Sequence, residues 1–297
     1  MVTYAHHDAV DAATAARLVL EAHRLGRTSV EAVVLGGPFA GTRFVLREAG
    51  PDPLLHFEAS GLQGAERDVL ASAIADAARS FIRGSSTPGP RAAHTGIQEI
   101  ALPDSEPVEV YFELYPPTPE LVIVGAGHLA LPLSEVGRLL GFRVVVLDDR
   151  PDFARRDRFP AASEVVRVDF RDPFANHPPT HLSHHLLVTR GHRFDCECLR
   201  QLLVLEPPPC YIGMIGSRRR VRATFHQLVD EGFAPERLAG IRAPVGLDLG
   251  AETPAEIAIA VAAELVRERR GGTGLPLSEK ERIAERFFGN RDAARTP

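Results

Sequence analysis

The sequence predicts an α/β chain: a C-terminal parallel sheet with helices on both faces, preceded by a smaller α+β half. Three observations predict it. From residue 119 on, short apolar runs alternate with helical stretches. Before it, the pattern reads helix, strands, helix and then one strictly alternating strand. Between the two, "YPPTPE" (115–120) places three prolines in six residues, and proline continues neither a helix nor a central strand. A length of 297 residues suits two domains. They are expected at 1–118 and 119–271, with 272–297 as a C-terminal tail.

In the first half, "DAATAARLVLEAHRLGR" is an Ala- and Leu-rich helix that ends at a glycine. "TSVEAVVLGG" and "TRFVLRE" read as strands joined by the turn-forming "GGPFAG". Leu70, Ile74, Ala77 and Phe81 recur at helical spacing. "RGSSTPGPRAA" (83–93) is the most loop-like stretch of the chain. In "VEVYFEL", Val108, Val110, Phe112 and Leu114 alternate with Glu109, Tyr111 and Glu113, the pattern of a half-buried strand.

In the second half "LVIVG", "FRVVVLDD", "SEVVRV", "HLLVT" and "CYIGMIG" supply five apolar strands. The helix after the first carries Leu129, Leu133, Val136 and Leu140 on one stripe and stops at Gly141, and "DCECLRQLLVL" reads as helical between the last two strands. Apolar runs buried on both faces and separated by helices indicate a parallel sheet with right-handed crossovers.

"LVIVGAGHLA" is strand, G-x-G-x-x-A, helix, the phosphate-binding turn of a Rossmann-like sheet. Gly125 permits the tight turn, Gly127 lets a diphosphate approach the backbone, and Ala130 lets the helix pack close to the strand. Asp148, twenty-three residues after Gly125, stands where an acid meets a ribose 2′-hydroxyl, with Asp149 beside it. Arg150 either favours a 2′-phosphate or pairs with Asp152. His128 sits at the helix start, where the dipole disfavours an imidazolium. A neutral ring there either serves a metal or ligand or simply lies over the loop.

"YIGMIGSRRRVRATF" (211–225) raises a second question. Ser217 is a good helix cap, yet Arg218, Arg219, Arg220 and Arg222 crowd the turns behind it. That end of a helix already carries roughly half a positive charge. Cations stacked there repel the dipole unless an anion neutralises both, and arginine grips phosphate in a fork. Gly216, Ser217, Arg218 and Arg219 are therefore the candidate second phosphate corner, facing the first across the carboxyl edge of one sheet. Arginines on the other sides of the helix are expected to pair with acidic neighbours.

"TPAE" (253–256) reads as an N-cap, a proline at the first helical position and a capping-box glutamate, all structural. "VGLDLGAE" before it is longer than a cap needs, with Asp248 and Glu252 as candidate ligands. Arg190, Gly191 and His192 follow the fourth strand and are expected at the same crevice. Cys196 and Cys198 lack C-x-x-C spacing and point about 200° apart on a helix, so they read as packing residues. "HLSHH" (181–185) reads as a surface loop.

The net charge of −5 makes the arginine cluster a local feature and argues against nucleic-acid binding. Three cysteines make no disulfide framework, the first residues lack a signal-peptide pattern, and no apolar run reaches the ~20 residues that span a bilayer. A cytoplasmic location without membrane attachment is expected.

"LVIVGAGHLA", "GFRVVVLDDRPDFARRDRFP", "VTRGHRFD", "YIGMIGSRRRV" and "APVGLDLGAETPAEIAIAVAAELV", in this order over about 119–271, resemble the XdhC/CoxI family. These are accessory proteins of xanthine dehydrogenase and related molybdenum hydroxylases. The resemblance implies a maturation chaperone rather than a turnover enzyme. Such a protein binds molybdenum cofactor (molybdopterin or its dinucleotide form) while a cysteine desulfurase supplies the terminal sulfido ligand. It then hands the cofactor to the apo molybdenum hydroxylase, and it is often a homodimer. Relatives carry a cysteine in a glycine-rich N-terminal stretch, whereas this chain has none before Cys196. Two alternatives stay open. One is an NAD(P)-dependent oxidoreductase, which needs a proton donor where this half offers Tyr211 and no lysine before Lys280. The other is a dinucleotide-binding scaffold without chemistry.

Overall fold

The structure, a computed structural model, describes residues 3–6, 10–24, 27–47, 54–58, 65–85, 95–102, 106–180 and 182–281. Several expectations fall partly outside them: the glycine stop at Gly26, the loop-like stretch beyond residue 85, His181 of "HLSHH" and the tail beyond residue 281. The chain divides into two compact units, 1–120 with 141–143, and 121–140 with 144–297.

The first unit is a six-stranded sheet with a helix on each face. Its strands are β1 (Thr3–His6), β2 (Ser29–Val34), β3 (Arg43–Arg47), β4 (Leu54–Glu58), β5 (Thr95–Ile100) and β6 (Val108–Tyr115), in the order β1-β4-β3-β2-β6-β5. The β1–β4 pair is parallel, and the other pairs are antiparallel. Strand alternation sorts its side chains. Val30, Ala32, Val34, Phe44, Leu46, Val108, Val110, Phe112 and Leu114 form one core with Leu70, Ala71, Ile74, Ala75 and Ala78 of α2 (Ala65–Ser85). Val45, pointing the other way, joins Ala15, Leu18 and Val19 of α1 (Ala12–Arg24). The hairpin and the alternating strand follow the sequence reading, whereas β1, β4 and β5 were not anticipated.

The second unit is a five-stranded parallel sheet: β7 (Glu120–Val124), β8 (Arg143–Asp148), β9 (Glu164–Arg167), β10 (Ser183–Leu187) and β11 (Tyr211–Met214), in the order β11-β10-β7-β8-β9. The chain moves outward from β7 to β8 and β9, then returns to the other side of β7 at β10. β7 therefore borders the topological switch point, where open parallel sheets bind ligands beyond their carboxyl ends. Three helices start at that edge: α3 (Ala130–Leu139) after β7, α4 (His192–Leu203) after β10 and α5 (Arg218–Asp230) after β11. The short α6 (Pro235–Ala239) follows α5, then α7 (Pro254–Arg270), and α8 (Leu277–Glu281) ends the described chain. Val122, Val124, Val145, Leu147, Leu187, Cys198, Leu199, Leu202 and Met214 lie in one buried cluster of this unit.

"HLSHH" needs a correction. Ser183, His184 and His185 belong to β10 and are buried. Oγ of Ser183 lies 2.8 Å from Nε2 of His185, whose ring meets Phe174 edge-on at 5.3 Å, and His184 stacks on Tyr211 at 6.1 Å. Polar side chains buried inside a central strand look like a loop in sequence. Among the described residues no helix is long and apolar enough to cross a membrane.

The capping box forms as read: the Glu256 N–H donates to Oγ1 of Thr253, the Thr253 N–H donates to Glu256, and Gly271 closes α7 at φ +66°. Replacing Thr253 with Ala is expected to cost about 1 kcal/mol, read as a lower denaturant midpoint at unchanged slope.

Candidate functional site

The turn after β7 is held rigidly. Gly125 has φ +112°, and a Cβ there would stand 2.6 Å from the carbonyl oxygen of Val188. Its N–H donates to the Leu147 carbonyl at 2.7 Å. The two peptide groups on either side of Ala126 are each engaged, one by the last residue of β8 and one by the chain after it. The Ala126 N–H donates to Asp148 at 2.7 Å, and the Ala126 carbonyl accepts from Arg158 at 3.2 Å. By contrast, a Cβ on Gly127 would meet nothing within 4 Å. Ala130 is fully buried at the start of α3, and His128 is exposed.

Asp148 does not serve as an open ribose acceptor. It is 1% exposed, and its two oxygens accept four hydrogen bonds: from the Ala126 N–H, from the Arg150 N–H and from Nε and an Nη of Arg150, at 2.7–2.9 Å. Burial alone would raise this carboxyl, but the Arg150 and Ala126 donors outweigh it and hold it below its ordinary range. Arg150 thus pairs with Asp148 and not with Asp152, and its guanidinium lies 3.6 Å from the centroid of the Phe153 ring. Asp149 binds both terminal nitrogens of Arg190 at 2.6 and 2.8 Å.

The four arginines separate. Arg220 turns inward: its Nε donates to Asp195 at 2.7 Å, and an Nη donates to the carbonyl and hydroxyl oxygens of Thr189 at 3.0 and 2.8 Å. Oγ1 of Thr189 also donates to Asp195 at 2.7 Å. Asp195 is wholly buried, and burial pushes its carboxyl up against the pull of Thr189 and Arg220. This ion pair ties the ends of β10, α4 and α5. Arg218, Arg219 and Arg222 are exposed, make no ion pair among the described residues, and line an open hollow of about 380 Å³ with Ala223 and His226. Ser217 caps α5 by accepting from the Arg220 N–H at 3.3 Å, while the Arg220 side chain passes close to Gly216.

The three helix starts are not equivalent. α4 has Asp195 in its first turn, an internal counter-charge for its dipole; α3 and α5 have no acid there. The N–H groups of Gly127, His128 and Leu129, and those of Ser217, Arg218 and Arg219, find no acceptor among the described residues. The two starts singled out in the sequence are therefore the two left uncompensated, and such ends attract anions.

Thr189, Asp195 and Arg158 are not singled out by the sequence as parts of this edge, and the sequence places Arg220 in the arginine cluster without its partner. Asp195 stands in the quoted "VTRGHRFD", but its partner lies twenty-five residues away and no local spacing connects them. Cys196 and Cys198 are buried packing residues, and burial raises the Cys196 thiol to about 11. Asp248 and Glu252 are exposed, and among the described residues no group of three or more His, Cys, Asp or Glu could hold a metal ion. The loop before α7 is instead anchored by Glu264, which accepts from the Gly246 N–H at 2.6 Å and the Tyr211 hydroxyl at 3.1 Å.

Residues 121–265 match the family described as the XdhC Rossmann domain. Over just under half of its length, the chain is similar to that domain. The resemblance read from the sequence holds over this stretch, and the turn, the capped α5 and the α7 capping box all fall within it. The chain is 29% identical over 184 residues to the uncharacterized protein YqeB of Escherichia coli, covering 62% of this chain and 34% of that protein. It is 28% identical over 164 residues to a probable subunit of xanthine dehydrogenase from Bacillus subtilis, covering 54% and 46%. The chain thus spans less than half the length of these curated relatives. A crystal structure of a xanthine dehydrogenase from Bacillus halodurans aligns over 86% of this chain and 93% of that one, at 22% identity and a TM-score of 0.48.

Two measurements check this geometry. Gly125→Ala is expected to lose at least about 2 kcal/mol, because strain and a backbone clash coincide, whereas Gly127→Ala stays within about 0.5 kcal/mol of wild type. Because the Asp148 carboxyl is depressed, its stabilising contribution is complete above about pH 4 and disappears as pH falls through its folded-state value. Asp148→Asn is expected to cost about 2–3 kcal/mol at pH 7, with the difference from wild type shrinking in acid denaturation below pH 4.

Proposed function

We propose that this protein is a maturation factor for a xanthine dehydrogenase-type molybdenum hydroxylase, and that its XdhC Rossmann domain holds molybdenum cofactor by its phosphate end. The observation that carries the reading is the pair of uncompensated helix starts on one carboxyl edge. The start of α3 offers free N–H groups beside the open face of Gly127, and the start of α5 offers free N–H groups with Arg218 and Arg219 beside them. Both suit phosphoryl oxygens. The family match, and the Bacillus subtilis relative named for xanthine dehydrogenase, supply the biological setting.

In this reading the cofactor is molybdopterin or its dinucleotide form, and the protein carries it. A cysteine desulfurase supplies the sulfido ligand, and the loaded cofactor passes to the apo-hydroxylase from a homodimeric, cytoplasmic carrier. Sulfur does not travel through Cys196 or Cys198, because buried thiols with raised pKa form little thiolate. The oxidoreductase alternative loses its proton donor. Tyr211 is buried, its hydroxyl donates to Glu264, and burial beside that carboxylate pushes its pKa well up.

Thermal unfolding in the presence of isolated molybdenum cofactor, NADH, NADPH or CTP tests the reading, since a ligand of the folded state raises the midpoint. At a hundred times its dissociation constant the pterin is expected to add about 2.7 kcal/mol, a shift of several degrees. Arg218→Ala with Arg219→Ala is expected to leave the unliganded midpoint unchanged and to weaken the pterin about tenfold. A midpoint raised only by NADH or NADPH overturns the proposal.

A further inference from the structure

The Asp149–Arg190 ion pair occupies an unusual place. Asp149 directly follows β8 and Arg190 follows β10 by three residues, while β7 runs between those strands. The turn at Gly125 touches both flanks, donating to Leu147 of β8 at 2.7 Å and lying against Val188 and Thr189 beyond β10. The bridge therefore spans from the end of β8 to the end of β10, on either side of β7, whose own end leads into the turn and α3.

The two acids beside this turn are built differently. Asp148 is 1% exposed and fixed by four hydrogen bonds. The Asp149 side chain is 27% exposed, and its carboxylate has the Arg190 guanidinium, 39% exposed, as its ion-pair partner. A pair this open to solvent is screened and less strongly held than a buried one. Arg190 does not depend on Asp149 for its position. Its guanidinium lies 3.9 Å from the centroid of the Phe194 ring and 5.8 Å from that of Phe170, so a cation–π stack keeps it in place.

Resting on the phosphate-cradle reading above, we propose that Arg190 is a phosphate-binding residue of this edge and that Asp149 is its built-in stand-in anion. A ligand phosphoryl group entering over Gly127 takes the fork of Arg190 and displaces the Asp149 carboxylate into solvent. Arginine binds phosphate and carboxylate through the same two parallel hydrogen bonds, and a group of higher charge wins the exchange. Without ligand, the pair neutralises a cation that would otherwise face the like charge of Arg150 nearby. Asp149 therefore opposes ligand binding, the reverse of the role its position in a Rossmann motif suggests.

Calorimetric titration of the intact protein with pyrophosphate tests this, using Asp149→Asn, Arg190→Ala, Arg190→Lys and the Asp149→Asn/Arg190→Ala double variant. The unliganded thermal midpoint of each serves as the folding control. Asp149→Asn is expected to bind pyrophosphate about tenfold more tightly, and Arg190→Ala about tenfold more weakly. Arg190→Lys, which keeps the charge without the fork, falls between wild type and Arg190→Ala. The Asp149 substitution should give no gain once Arg190 is absent, because the two effects are coupled. An equal gain with and without Arg190 would mean that only net charge matters and overturns the proposal. Unchanged affinity in all four variants, with Arg218→Ala/Arg219→Ala still weakening pyrophosphate, sinks the latch and leaves the cradle standing. No pyrophosphate binding by wild type or Asp149→Asn overturns both.

Discussion

The carboxylate of Asp148 fixes the geometry on which the rest of this edge depends. A glycine turn is flexible unless something outside it specifies its peptide planes. Here two successive peptides are each engaged, the first through the Ala126 N–H by Asp148 and the second through the Ala126 carbonyl by Arg158. The side chain of Arg150 locks the acid in turn. Burying a carboxylate is expensive unless every lone pair finds a donor, and four donors meet that condition at Asp148. Asp148 at the end of β8 and Arg158 beyond it thereby fix the two peptides that lead into the free N–H groups at the start of α3, which no side chain of that helix caps.

Arg220 and Asp195 apply the same chemistry one strand away. The pair is buried on the acid's side, so it is weak support for overall stability. Its effect is positional: three segments that leave adjacent parts of the sheet share one hydrogen-bonded network through Thr189. It also satisfies the dipole of α4 internally. The surplus of arginines at the start of α5 divides accordingly. One of them neutralises a buried neighbour, and three stay in solvent around a common hollow.

Much of this was legible in the sequence because it is local. Apolar runs on a parallel sheet, the glycine turn, the Ser217 cap and the Thr253–Glu256 capping box all depend on residues within a few positions of one another. Illegible features were those that join distant positions or conceal burial. The pairing of Arg220 with Asp195 crosses twenty-five residues. The side chains of His184 and His185 are polar yet buried, so the first residues of a strand read as a loop. Asp148 carries the residue type expected of a ribose acceptor, but only coordinates reveal that its lone pairs are already engaged. The short strands β4 and β5 pair at or near the border of their sheet and lack the long apolar run that announces a central strand.

The strand order has a dimensional consequence. β10 separates β7 from β11, so the starts of α3 and α5 sit two interstrand steps apart, about 10 Å at ~4.8 Å per step. The edge therefore works as a ruler. One compact oxyanion can occupy either end but cannot reach the other. A molecule that engages both must carry two separated acceptors, or one acceptor and an extended body lying across the mouth of β10.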